Sequence, residues 1–162
     1  MKKFRFLIGI VAMFCATSCL IGDGKPGSSS STYTGELTVV DTGTSNVSYS
    51  DANASVSIWI PNITEPKFDF IFNGIKFDNA MPTRLNMEVL GIPFTTTISE
   101  DQTTINYLFK ASNVIPKAGG VNYEKYTIGK IEGCVGKEVE ITFTMPSKNK
   151  TVYFKTKYTT TE

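Results

Sequence analysis

The sequence contains no histidine. That excludes Ser-His-Asp and Cys-His catalysis, histidine general bases and every His-ligated metal site. Cysteine is scarce, at three residues, and there is one tryptophan. Neither charge dominates: 16 Lys and Arg stand against 15 Asp and Glu. Without a clustered basic face there is no footprint for nucleic acid, and none is expected as a partner. No apolar run reaches the roughly 20 residues needed to cross a bilayer as a helix. Beyond Thr32 no useful length carries a helical period of 3.6. What remains is one domain's worth of chain, 162 residues, rich in strand-forming side chains.

The first residues read as an address. Lys2, Lys3 and Arg5 precede the apolar run Phe6 to Cys15 and the small residues Ala16, Thr17 and Ser18. This is the positive, apolar and small-residue order of a secretory signal. Ala16-Thr17-Ser18-Cys19 resembles a bacterial lipobox, with Ala16 at the position usually held by Leu. The resemblance implies a signal peptide over residues 1–18 and lipidation of Cys19, hence a membrane partner through the lipid and an outer-membrane address. Its removal takes three bases and no acid, leaving 13 bases against 15 acids and a net charge of −2. Residues 19–31, dominated by Gly, Pro and Ser, read as a flexible tether, with the folded domain at 32–162. Cys134 is then alone in the mature domain, where no internal disulfide is possible. It reads as a small buried apolar residue.

Period-two segments follow one another from Tyr33 to Thr156. Tyr33, Gly35, Leu37 and Val39 share a face, as do Val56, Ile58 and Ile60. Phe68, Phe70 and Phe72 alternate with Asp69 and Ile71, and Leu85, Met87 and Val89 with Asn86 and Glu88. Ile105, Tyr107 and Phe109 follow an acidic turn at Glu100-Asp101. Tyr126 and Ile128 lead into Ile131. Val139, Ile141, Phe143 and Met145 alternate with polar partners, as do Val152, Phe154 and Thr156. Asn73-Gly74 carries the signal of a type I′ hairpin turn, and Met145 to Asn149 reads as another turn. Eight strands with hairpin-sized connections predict an all-β sandwich or up-and-down barrel.

Several segments resemble a group of small lipoproteins of Gram-negative gut bacteria with a calycin-like, or lipocalin-like, β-barrel. They are Tyr33 to Leu37, Leu85 to Pro93, Tyr126 to Gly133, Val139 to Met145 and Val152 to Tyr158. The resemblance covers about residues 32–158 and implies a single eight-stranded antiparallel barrel at the cell envelope. It implies no established activity. The Gly-x-Trp motif of lipocalins is absent, and the one tryptophan, Trp59, lies in Ile58-Trp59-Ile60-Pro61.

One motif spells chemistry. Val39-Val40-Asp41-Thr42-Gly43-Thr44 resembles the aspartic-protease signature, but that reaction needs two carboxyls sharing a proton. A second Asp-Thr-Gly is missing, so only a homodimer would complete the site. The same residues suit a hairpin turn, the reading favoured here. Asp51 to Ser55 fails as a calcium loop, since Val56 and Asn62 stand where Gly and Glu are required. Ala118-Gly119-Gly120 lacks the Lys of a phosphate loop and reads as a turn. Neither metal nor cofactor is expected.

The expected function is therefore a non-enzymatic binding or accessory lipoprotein of the bacterial envelope. Its partner would be a small apolar ligand or an envelope protein. The competing readings are the homodimeric protease and a purely structural envelope protein. Phe68, Phe70, Phe72, Phe109, Phe143 and Phe154 are expected to point inward and fill the barrel. Tyr33, Tyr107, Tyr126, Tyr153 and Tyr158 are expected near a mouth, with Trp59 as an outward contact. The candidate ligand-binding residues are Tyr33, Trp59, Phe70, Tyr107, Tyr126 and Phe143.

Overall fold

A computed structural model describes residues 29–156, apart from 45, 62–63 and 99–101. The expected signal peptide, Cys19, the Glu100-Asp101 turn and Tyr158 lie outside the described residues. The strands are β1 (Ser29–Asp41), β2 (Val47–Ile60), β3 (Lys67–Ile75), β4 (Leu85–Ile98), β5 (Ile105–Val114), β6 (Lys117–Ala118), β7 (Val121–Asn122), β8 (Ile128–Val135), β9 (Val139–Met145) and β10 (Lys150–Thr156). Every pairing is antiparallel. The order β3-β2-β1-β10-β9-β8-β5-β4 closes through β3–β4, giving an eight-stranded up-and-down barrel. β6 and β7 form a small hairpin hung on β4 by Glu88↔Lys117.

The inward faces follow the period-two pattern. Leu37 and Val39, Val56 and Ile58, Phe68, Phe70 and Phe72, Met87 and Val89 are all buried. So are Ile141, Phe143, Met145, Val152 and Phe154. All six phenylalanines expected to point inward are at most 3 % exposed. Their rings touch one another: Phe70 lies 4.9 Å from Phe109 and Phe72 lies 5.3 Å from Phe143, centroid to centroid. An eight-stranded barrel is just wide enough to be filled by side chains, and large rings do that here.

Several local expectations are corrected. Asn73-Gly74 is no hairpin turn: both residues lie within β3. Gly74 adopts φ +59°, at a register shift between Phe72 and Ile75, and its N–H is bonded by the Asn86 Oδ1 at 2.7 Å. The dipeptide that favours a tight turn here makes a bulge, because Ile75 and Phe77 beyond it still have core to enter. The reversal comes later, over residues 76–84. β1 already includes Ser29–Ser31, paired with Ile60 to Ile58, so strand begins three residues inside the expected tether. Tyr126 sits in a single turn of 3-10 helix, Glu124–Tyr126, ahead of β8. Tyr153 is 46 % exposed on the outer wall between Thr38 and Thr142, away from either mouth. Cys134 is half-buried, and not in the core: it lies between Leu108 and Glu140 on β8, out of step with the inward Ile131 and Val135. Burial, with Glu140 second, holds its thiol above the usual range.

The two ends differ. At the near rim, where β1 begins, the connections are 61–66, 99–104 and 136–138. At the far rim, where β1 ends, they include residues 76–84 and the longer excursion 115–127 that carries β6 and β7.

Candidate functional site

The far rim is sealed. Phe77, from the β3–β4 connection, packs against Tyr126 at 5.2 Å and Phe143 at 6.4 Å. Tyr123 stacks on Tyr126 at 5.5 Å, and the ammonium groups of Lys125 and Lys148 lie 5.2 and 5.4 Å from the Tyr126 ring centre. The Phe77 N–H is bonded by the Met81 sulfur at 3.1 Å, which fixes the connection over the opening. Beside this plug, Lys150 Nζ reaches Asp41 Oδ1 at 2.5 Å and Asp78 Oδ2 at 3.5 Å. Its hydrogen bond to Asp41, above all, holds the Lys150 ammonium above its ordinary pKa.

Asp41 accordingly belongs to a turn. Its carbonyl accepts the Thr44 N–H at 3.0 Å and its N–H is bonded by the Asn46 carbonyl, closing the β1–β2 hairpin. Thr42 Oγ1 and Thr151 Oγ1 are hydrogen-bonded at 3.0 Å, which satisfies the buried Thr151 hydroxyl. The carboxylate thus faces an ammonium. A second carboxylate, Asp78, contacts the same ammonium.

At the near rim Tyr33 and Tyr107 come together. With Ser30, Ile58, Ile60 and Phe68 they line a recess of about 30 Å³. Burial raises the Tyr33 hydroxyl above its usual range, partly offset by a hydrogen bond with Ser31. Phe68 stacks on Phe94 at 4.2 Å, and Tyr107 meets the Phe94 ring edge-on at 5.3 Å. A space of 30 Å³ holds about one water molecule, far below a ligand site.

A larger cleft lies where β4, β5 and β8 run side by side. It is about 460 Å³, open to solvent, and lined among others by Pro93, Thr95, Leu108, Lys110 and Glu132. Its origin is a bend in β4. The register against β3 shifts between Phe68 and Phe70, and Asp69 Oδ1 takes the Gly91 N–H at 2.6 Å. The β4–β5 ladder stops at Phe94↔Phe109, because the next residue of β4, Pro93, has no N–H to donate. Glu132 is bonded by Lys130 at 2.5 Å, which chiefly lowers its pKa, with Lys110 a smaller contribution.

The six candidate residues do not converge on one pocket. Tyr33 and Tyr107 share the near-rim recess. Phe70 lies among the interior rings, tilted against Phe68 and Phe109. Phe143 and Tyr126 meet Phe77 at the sealed end. Trp59 stands apart on the outer wall, 39 % exposed, paired with Ser30 and Asp69. Cys19 lies outside the described residues. Sequence reasoning missed Phe77, Phe94 and Tyr123, and the cleft pair Lys110 and Glu132. Only the Pro93 interruption hinted at the cleft. Among the described residues no cluster of three metal-ligating side chains occurs, and no helix is long and apolar enough to cross a membrane.

These elements define a closed eight-stranded antiparallel barrel with a filled interior and an open cleft on its outer wall. No protein-family model, curated protein or solved structure matches the chain.

Proposed function

We infer that this protein is a lipid-anchored, non-catalytic barrel of the bacterial envelope that works as a binding or accessory module through its outer surface. The calycin-like lipoproteins it resembles in sequence pattern are the kind of protein meant, with Cys19 as the lipidated residue and the outer membrane as its address.

The observation that carries the reading is the filled interior, in which Phe70, Phe72 and Phe143 are at most 1 % exposed. A carrier that encloses a small apolar ligand needs several hundred Å³ inside its walls, and here rings occupy that space. The open cleft on the wall and the outward Trp59 suit contact with another protein better than capture of a small molecule, which is usually 70–90 % enclosed. The ion pair Asp41–Lys150 supports the non-catalytic part. A shared-proton dyad needs a second carboxyl where this carboxylate meets an ammonium.

Two measurements test the reading. Fractionation of cells carrying the wild-type chain and Cys19→Ala should find the first in the membrane fraction and the second released but folded. Retention of Cys19→Ala in the membrane would remove the anchor. Titration with a fluorescent fatty acid should give no saturable one-to-one uptake. Saturable uptake abolished by substitution of Phe70 would move the reading to an enclosed-ligand carrier.

A further inference from the structure

The barrel wall parts between β4 and β5. Their ladder runs from Ile98↔Ile105 to Phe94↔Phe109 and stops there. Beyond that rung β4 stays with β3, and among the described residues its other side meets only Lys117 of β6, at Glu88. β5 goes on with β8 alone, through Lys110↔Glu132, Ala111↔Ile131 and Ser112↔Lys130. One flank of β5 is therefore an open edge within the wall, beside the cleft that Phe109 and Lys110 line. Asn113, at φ +55°, ends it.

Two hydrogen bonds fix which backbone groups face the opening. The Phe94 N–H goes to the Pro66 carbonyl at 2.9 Å, on the β3 side. The Lys130 N–H goes to Thr144 Oγ1 at 3.2 Å, on the β9 side. Along an antiparallel strand the polar groups of successive residues turn to opposite neighbours. Phe94↔Phe109 and Ser112↔Lys130 are then pairs that exchange no hydrogen bonds, and Phe109 and Ala111 bond to β8. Lys110 and Ser112 turn to the opening. The Pro93 carbonyl can take the Lys110 N–H, but Pro93 has no N–H to give the Lys110 carbonyl. That carbonyl and both backbone groups of Ser112 face no strand among the described residues.

We propose that this edge takes up an extended peptide segment of a partner protein as an added strand. The proposal rests on the reading of the outer surface as a binding face and names what binds there. The chemistry of the edge sets the occupant. A row of main-chain donors and acceptors is matched by another extended chain, whereas a helix has used its own internally. The segment donates two N–H groups, two residues apart, to the Lys110 and Ser112 carbonyls and accepts the Ser112 N–H. Its inward side chains meet a cleft floor of Phe94, Phe109 and Gly133, which suits apolar residues at alternate positions.

The test screens a random seven-residue peptide library against the full-length chain and remakes the tightest sequence with single N-methyl groups along its backbone. Methylation at one alternate set of residues should weaken binding about tenfold, the scale of one or two lost hydrogen bonds, and at the other set much less. Bound peptide should slow amide exchange at Ser112. Ser112→Pro, which removes an edge donor outside the β5–β8 ladder, should bind about tenfold more weakly. The methylated series decides the matter if that variant does not fold. Binding indifferent to the position of methylation, or wild-type binding by folded Ser112→Pro, would overturn the added strand. So would a library that yields no binder. Protection of the Trp59 wall with Ser112 exchanging as before would overturn the edge and leave the outer-surface reading standing. That reading falls separately, on saturable fatty-acid uptake. Slowed exchange at Ser112 without peptide, growing with protein concentration, would show a second copy pairing there and would overturn the proposal.

Discussion

The two rims of this barrel are made by the same eight strands and are built differently. At the far rim, residues 76–84 and 115–127 fold back and set Phe77, Tyr123 and Tyr126 over the opening. At the near rim the connections leave Tyr33 and Tyr107 around a recess the size of one water. There Ile98 and Ile105, paired at the ends of β4 and β5, are 65 % and 50 % exposed. The difference teaches that connection length and composition decide which end of a barrel is sealed. The strands supply the cylinder. The aromatic residues in the connections supply the plug.

That contrast predicts unequal costs for similar truncations. Phe143→Ala, at the sealed end, removes a ring that touches Phe72 and Phe77 and should cost about 3–5 kcal/mol in urea unfolding. Tyr107→Ala, half-buried at the near rim, should cost about 1–2 kcal/mol, in proportion to the smaller apolar area lost. Equal losses would mean that the near rim is as tightly packed as the far one. Asp41→Asn shortens the far-rim network by one ion pair while leaving the hairpin turn in place. It should cost less than about 1 kcal/mol, the scale of partly exposed pairs, and change no activity. Acid-dependent peptide cleavage lost in Asp41→Asn would revive the protease reading.

The smallest expected effect is a pH dependence. Asp51 accepts hydrogen bonds from Arg84 Nη1 at 2.8 Å and from the Asn53 N–H at 3.0 Å. The Arg84 bond, chiefly, lowers its pKa below the usual carboxylate value. A lowered folded-state pKa stabilises above the unfolded value, and the contribution is lost as pH falls through the folded one. Wild type should therefore lose stability relative to Asp51→Asn as pH drops below about 4, by under about 1 kcal/mol, since Arg84 is more than half exposed. Parallel stability curves for the two proteins across that range would remove the assignment.

Much of the cylinder was legible in the sequence. The alternation Val139, Ile141, Phe143, Met145 fixes which face turns inward, and Val152 and Phe154 do the same for the last strand. Carried one residue further, that parity also places Tyr153 and Cys134 on the outer wall. Asn73-Gly74 was misread because its preference for positive φ suits a turn and a bulge equally. Only the pairing with Asn86 across the sheet decides between them. β6 and β7, two residues each, are too short to show a period. The candidate site was less legible still. Phe77 and Tyr123 sit in connections without periodicity, and the meeting of Tyr33 with Tyr107 joins residues far apart in the chain. The wall cleft depends on where a ladder stops, which no local pattern records.

The central claim, that the barrel is filled and acts through its outside, is tested most directly by Phe70→Ala. Phe70 is fully buried, 4.9 Å from Phe109 and 5.6 Å from Phe68, ring to ring. In a filled barrel the truncation leaves a cavity and lowers unfolding free energy by about 3–5 kcal/mol, with no gain in uptake of an apolar probe by the wild type's standard. A loss below about 1 kcal/mol would mean that Phe70 lines space already open to ligand or water, and would contradict the account.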